Sequence, residues 1–314
     1  THTRSSAASD VYKRQGEFGT EIMNTVYGEI PYDRLDLWRR FCNYYYNCLR
    51  DVDRHMMKLI HSLEDTGQID NTIIFMISDH GEMLGQQGAR GKIVSWEESI
   101  RVPTLVYHPD LKDKKLCNSV ISNIDIVPTL LEFTGLRKSE LRDKHPELKG
   151  NSYAELVENV NYDNVRDKEG HLIHGVQIIP TVFEVAEKFR HTALADGFLA
   201  KTKAFMSEGK FLPDFTPPLN YKGVVDKKHK FLRFFSPRQN NIPTNYDELT
   251  KYNSEYQLYD LENDPFEMND LAKDENNRDL LMSMNDKCNT LADKEIGLEN
   301  HVIHLPGPDW FWTA

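Results

Sequence analysis

Apolar residues along Asp33–Glu64 recur at Trp38, Phe41, Tyr45, Cys48, Val52, Met56, Leu59 and Leu63, in steps of three and four throughout. That spacing puts one apolar stripe on a helix. Asp33 and Asp36 suit its start, and Thr66-Gly67 supplies a stop, since glycine is favoured just past a helix end. The three consecutive tyrosines, Tyr44 to Tyr46, read as core plus amphipathic rim. Ile73-Ile74-Phe75-Met76-Ile77 is a short continuous apolar run bounded by polar residues. Such a run fits a strand buried on both faces, as in a parallel sheet covered by helices. Helix, short turn and buried strand together make half of a doubly wound α/β unit.

Val102 to Tyr107 reads as the next strand, with Pro103 marking an edge or an entry position. Ile124–Phe133 reads as a short helix closed by Gly135, with Pro128 near its first turn. After Gly150 helical patterns thin out, and aromatics, prolines and charge clusters such as Lys227-Lys228-His229-Lys230 increase. These clusters read as solvated faces. Tyr256–Leu261 alternates like a strand, Asn263-Asp264-Pro265 is a turn signal, and Arg278–Leu291 reads as a helix. The expected organisation is a non-native leader over 1–15, part of an α/β domain over 16–150, and a smaller α+β subdomain over 151–314. The leader assignment rests on a first residue that is Thr1, followed by a small, polar, basic stretch without the apolar core of a secretory signal.

Composition narrows the function. The chain has 314 residues with 38 Lys+Arg against 49 Asp+Glu, a net charge of −11. That balance carries no basic footprint, so no nucleic-acid partner is expected. Fifteen Phe, 14 Tyr and four Trp supply too many core-forming residues for a disordered chain. No apolar run approaches a membrane span. Four cysteines, Cys42, Cys48, Cys117 and Cys288, are too few and too scattered for a disulfide framework. Compartment and oligomeric state are left open.

The candidate chemistry lies where the apolar strand ends, at Ser78-Asp79-His80-Gly81-Glu82. Open α/β sheets bind ligands beyond the carboxyl ends of their strands. A carboxylate and an imidazole side by side can share a divalent cation, because the turn at Gly81 lets both converge. Gly81, Gly85, Gly88 and Gly91 then give a backbone able to approach a ligand closely. Lys92, thirteen residues after Asp79, closes that loop, where its ammonium can face an anion held by the metal. Two other candidates read as structural: the His171/His174 pair, spaced to bind metal if helical, and Ser236-Pro237-Arg238, a turn. Trp310-Phe311-Trp312 could dock on the body or at a subunit contact.

Asp79-His80-Gly81-Glu82-Met83-Leu84-Gly85, Gly91-Lys92 and Glu97–Pro103 together resemble the sulfatase family of the alkaline phosphatase superfamily. Leu49–His55, Ile124–Leu131 and Tyr259–Glu267 add supporting resemblance, and the whole runs from about Pro31 to Leu271. The resemblance implies a partial alkaline-phosphatase-like mixed sheet flanked by helices. It implies that Asp79 and His80 are metal ligands, for Ca²⁺ or else Mn²⁺ or Mg²⁺, and that Lys92 contacts the sulfate or the leaving-group oxygen. Glu97 and Arg101 match the pattern and read as structural; His55 and His61 read as surface or packing residues.

The family nucleophile is a formylglycine made from Cys or Ser within Cys/Ser-x-Pro-x-Arg. None of the fourteen prolines here has Cys or Ser two residues before it. The expectation is therefore a sulfatase chain whose formylglycine-bearing N-terminal half is missing, inactive alone and specific in full for a small-molecule or glycan sulfate ester. A phosphate or phosphonate monoester hydrolase, and a non-catalytic fragment or pseudoenzyme, stand as the alternatives.

Overall fold

In a computed structural model of the chain, the described residues are 30–92, 94–111, 113–176, 220–235, 242–252 and 255–297. The leader expected over 1–15, Ser236-Pro237-Arg238 and Trp310-Phe311-Trp312 lie outside them. The chain divides into two compact units, Thr1–Lys115 and Leu116–Ala314. The change in sequence texture lies further along, near 150.

The first unit opens with α1, Leu35–Asp65. Its end follows from Gly67, at φ +66°. There the Gly67 amide donates to the Glu64 carbonyl at 3.0 Å and the Gln68 amide to Leu63 at 2.8 Å, which satisfies carbonyls the helix leaves open. Trp38, Phe41, Tyr45, Met56 and Leu63 of the apolar stripe are half-buried, whereas Cys48, Val52 and Leu59 are exposed. The apolar run contributes β1, Ile74–Met76, half-buried at every position. It pairs antiparallel with β2, Leu105–Tyr107, in the register Ile74↔Tyr107 and Met76↔Leu105. This corrects the parallel, doubly buried strand expected from the sequence. A continuous apolar run records that a strand is hydrophobic, and it carries no information on the direction of its partner. Between the two strands lies α2, Glu97–Ile100.

The second unit starts with four helices: α3, Ile126–Phe133; α4, Lys138–Lys144; α5, Ala154–Glu158; and α6, Arg166–Glu169. A four-stranded antiparallel sheet follows, in the spatial order β3 (His171–Val176), β4 (Asn220–Val225), β5 (His229–Phe235), β6 (Glu255–Asp260). Helix α7, Tyr246–Tyr252, lies between β5 and β6 in sequence, and α8, Arg278–Glu295, closes the unit. The core is Val224, Phe231, Leu249 and Leu258 packed with Leu281, Met284, Cys288 and Leu291 of α8. All four cysteines are free.

His171 and His174 sit on β3 rather than on a helix, so three residues of separation puts them on opposite faces and they cannot share a ligand. The basic cluster is only partly a solvated face. Lys227 and Lys228 are exposed at the β4–β5 turn, but Lys230 is fully buried and lies 2.6 Å from the buried Glu267. β5 is an inner strand with both faces covered, and a lysine at its second position has to bring a counter-ion inside.

Among the described residues of this unit, Asp125 is one of the most connected polar groups. Its carboxylate accepts from Arg166 Nε at 2.5 Å and Nη2 at 2.7 Å, from the Ser122 amide at 2.9 Å and from the Asn151 amide at 2.7 Å. The remaining Arg166 nitrogen, Nη1, reaches Glu295 Oε1 at 3.0 Å. Asp125 and Arg166 are both buried. The start of α3, the turn before α5, α6 and the end of α8 thus converge on one ion pair.

Two predictions follow from these contacts. Asp125→Ala leaves Arg166 buried without its bidentate partner and should cost about 3–5 kcal/mol in a denaturant titration. Asp226 accepts from Lys287 Nζ at 2.5 Å and from the Lys228 and His229 amides. Burial opposes ionisation, but Lys287 and the two amides prevail and hold the carboxyl below its ordinary 3.8. A carboxyl held low when folded contributes stability above its unfolded pKa and loses it as pH falls through the folded value. As pH falls through the carboxylate range, the Tm of Asp226→Asn should drop less steeply than that of the unsubstituted chain in thermal scans.

Candidate active-site segment

The chain after β1 turns at Ser78 and runs through the loop that returns at Lys92. Gly81 is fixed by crowding: its amide donates to the Ser99 carbonyl at 2.7 Å, and a Cβ there would collide with the Glu98 carbonyl oxygen. Gly85, at φ +93°, lies against the Trp38 ring of α1, with Leu84 and Gln87 also at positive φ beside it. Two non-glycine residues in that region mark a backbone held under strain by its surroundings. The supports are visible. Met83, Ala89 and Trp96 form a small buried cluster under the loop, and Glu82 Oε1 accepts from the Gly91 amide at 2.5 Å. Glu82 is the residue that folds the loop back. It stands in the sequence as one residue of the Asp79–Gly85 motif, and no local pattern announces a carboxylate whose partner is an amide nine residues on.

The three residues singled out from the sequence meet at the loop mouth. Lys92 Nζ donates to His80 Nε2 at 2.6 Å, and Asp79 Oδ2 is 3.2 Å from the same nitrogen. His80 Nδ1 lies 2.9 Å from the Gly81 carbonyl oxygen. A carbonyl only accepts, so Nδ1 carries the proton and Nε2 presents its lone pair to Lys92. Asp79 is exposed, and its second oxygen accepts from the His80 amide at 2.9 Å. That amide first, with the charge of Lys92 adding to it, holds the Asp79 carboxyl below its usual range. One oxygen, one imidazole nitrogen and one ammonium therefore point at a common spot.

An oxygen and an imidazole nitrogen this close suit a divalent cation. Among the described residues no third histidine, cysteine, aspartate or glutamate joins them, so these residues offer two donors of a larger shell. Glu97 opens α2 and Arg101 is exposed just after it, while His55 and His61 are exposed on α1.

Gly81→Ala tests the crowding. The added methyl group has only backbone to displace, so about 1–3 kcal/mol of stability should be lost. Hydrogen exchange should quicken at the Gly81 and Gly91 amides, and unchanged exchange there would count against this construction of the loop.

The sulfatase family model matches residues 1–136. The arylsulfatase of Clostridium perfringens is 32% identical over 121 residues, which are 37% of this chain and 24% of that protein. The N-acetylglucosamine-6-O-sulfatase of Bacteroides thetaiotaomicron is 31% identical over 112 residues, 35% of this chain and 20% of that one. Among solved structures, the phosphonate monoester hydrolase from Silicibacter pomeroyi superposes with a TM-score of 0.63 at 17% identity, covering 96% of this chain and 51% of that one. The chain thus spans about half the length of that structure and a quarter or less of these two relatives. The shared fold is a mixed α/β architecture. Among the described residues no helix is long and apolar enough to cross a membrane. Over residues 1–136 the chain is similar to the sulfatase family.

Proposed function

We propose that this chain carries part of the active site of a metal-dependent sulfuric ester hydrolase acting on a small-molecule or glycan sulfate ester. The observation that supports this reading is the convergence of Asp79 Oδ2, His80 Nε2 and Lys92 Nζ beyond β1. Asp79 and His80 would hold the divalent cation, Ca²⁺ in the first instance and Mn²⁺ or Mg²⁺ otherwise. When bound, such an ion screens the charge of the ester and polarises its bridging sulfur–oxygen bond. His80 is oriented for ligation by its Nδ1 hydrogen bond to Gly81. Lys92 supplies a fixed positive charge for the negative charge that grows on the departing oxygen. The 314 residues contain no Cys/Ser-x-Pro-x-Arg, so the formylglycine nucleophile is not contributed by this sequence.

A phosphate or phosphonate monoester is the second reading, favoured by the likeness to a phosphonate monoester hydrolase. Sulfate and these phosphorus esters share the charge and tetrahedral shape that Lys92 and a cation would recognise.

Calcium titration by calorimetry tests the site. Asp79→Ala and His80→Ala should each weaken binding about 10-fold or more, the loss expected when a metal ligand or its support is removed. Lys92→Ala should not weaken it, because it removes a like charge and a competitor for the His80 lone pair. Unchanged calcium affinity in both ligand variants would sink the assignment. The chain alone should give no turnover of 4-nitrophenyl sulfate, 4-nitrophenyl phosphate or a phenylphosphonate ester above a buffer blank. Turnover would show that another residue serves as nucleophile, and the preferred ester would decide between the two readings.

A further inference from the structure

Four polar residues stand in one row across the sheet of the second unit. The registers pair His174 with Lys222, Lys222 with Arg233 and Arg233 with Tyr256. Directly opposite residues of antiparallel strands share a face. That face looks at α8, because Arg233 Nη1 donates to Asn285 Oδ1 at 2.6 Å and to Asn289 Oδ1 at 2.8 Å. Arg233 is fully buried, Lys222 is nearly so, and His174 forms the exposed end of the row. Lys222 Nζ sits over the Phe235 ring, 5.5 Å from its centre. Among the described residues no carboxylate pairs with either Lys222 or Arg233.

The unused part of Arg233 is specific. Its Nε and Nη2 are buried and have no hydrogen-bond partner. These two nitrogens form the edge of a guanidinium that grips two oxygens of one anion. The same unit shows that edge in use, since Arg166 holds both oxygens of Asp125 through Nε and Nη2. Cys288, on the facing helix, does not supply the missing charge. Burial raises its thiol pKa, against the opposing pull of Arg233 and Lys222, so it stays protonated. Both cations are correspondingly held below their ordinary pKa values, by burial first. Two buried cations side by side with no anion are costly, and proteins offset that cost with a counter-ion.

We propose that Arg233, Lys222 and His174 form a second anion site, which takes a tetrahedral oxyanion, either free sulfate or phosphate or the sulfo group of a larger ester. Arg233 would grip two oxygens through its free edge, Lys222 would neutralise charge beside it, and His174 would close the site on the solvent side. The site lies wholly within the second unit and uses neither Asp79, His80 nor Lys92.

Sodium sulfate titrated at constant ionic strength, with thermal unfolding and calorimetry as readouts, tests this. The Lys92→Ala variant serves as parent, so that sulfate at the first site does not count. Saturable binding and a rise in Tm are expected. Arg233→Met and Lys222→Met should abolish both. In sulfate-free buffer Lys222→Met should unfold at a higher temperature than the parent, because an uncompensated buried charge has been removed. Should Arg233→Met fail to fold, His174→Ala, at the exposed end, should still weaken sulfate binding about tenfold, the loss of one hydrogen bond to a charged group at the low end of its range. The same sulfate response in the parent and in every folded variant would overturn the site. Tighter binding of N-acetylglucosamine 6-sulfate than of inorganic sulfate would identify an ester-borne group, and the reverse a free ion.

Discussion

The second unit depends on the buried pair of Asp125 and Arg166. Each end of the pair serves several elements. The aspartate fixes the start of α3 and the backbone before α5 through two amides, while the guanidinium spans from that carboxylate to Glu295 at the end of α8. Burial makes such a pair demanding, because neither charge can be left without its partner. It also makes the pair directional, because bidentate geometry admits one orientation of the guanidinium. A short helix such as α3 has little stability of its own. Its position is set by this contact and by Thr129, whose hydroxyl donates to the Asp125 carbonyl and accepts from the Tyr153 amide.

The same rule, that a buried charge must be answered, separates three basic residues with similar surroundings. Arg166 is answered by Asp125 and Glu295, and Lys230 by Glu267. Arg233 is answered on one side only, by two neutral amides. Asparagine oxygens satisfy donors without cancelling charge. The contrast makes Arg233 a site rather than a strut.

In the first unit the governing constraint is backbone rather than charge. The loop between β1 and Lys92 is held by Glu82, by the close approach of Gly81 to Glu98, and by Trp38 against Gly85. These contacts bring Lys92 to His80 across twelve residues of chain. They keep three polar groups at the loop mouth in register although Asp79 itself is exposed. Strain at Leu84 and Gln87 is the cost of that course, offset by the buried cluster of Met83, Ala89 and Trp96.

The sequence by itself determined the elements whose signal is periodic or local. The stripe of α1 with its Gly67 stop, the alternation of β6 and the span of α8 were legible because helix and strand periods are written in neighbouring residues. That Asp79, His80 and Lys92 lie close together was legible for a similar reason: a glycine-rich loop after a strand is a local pattern. The tertiary structure alone decided the antiparallel partner of β1, the strand position of His171 and His174, and the burial of Lys230. It alone revealed the role of Glu82 and the row of His174, Lys222 and Arg233. Each of these depends on which distant residue lies opposite. Cross-strand register and ion pairing join positions tens of residues apart, and a period of two or of three and a half carries no record of them.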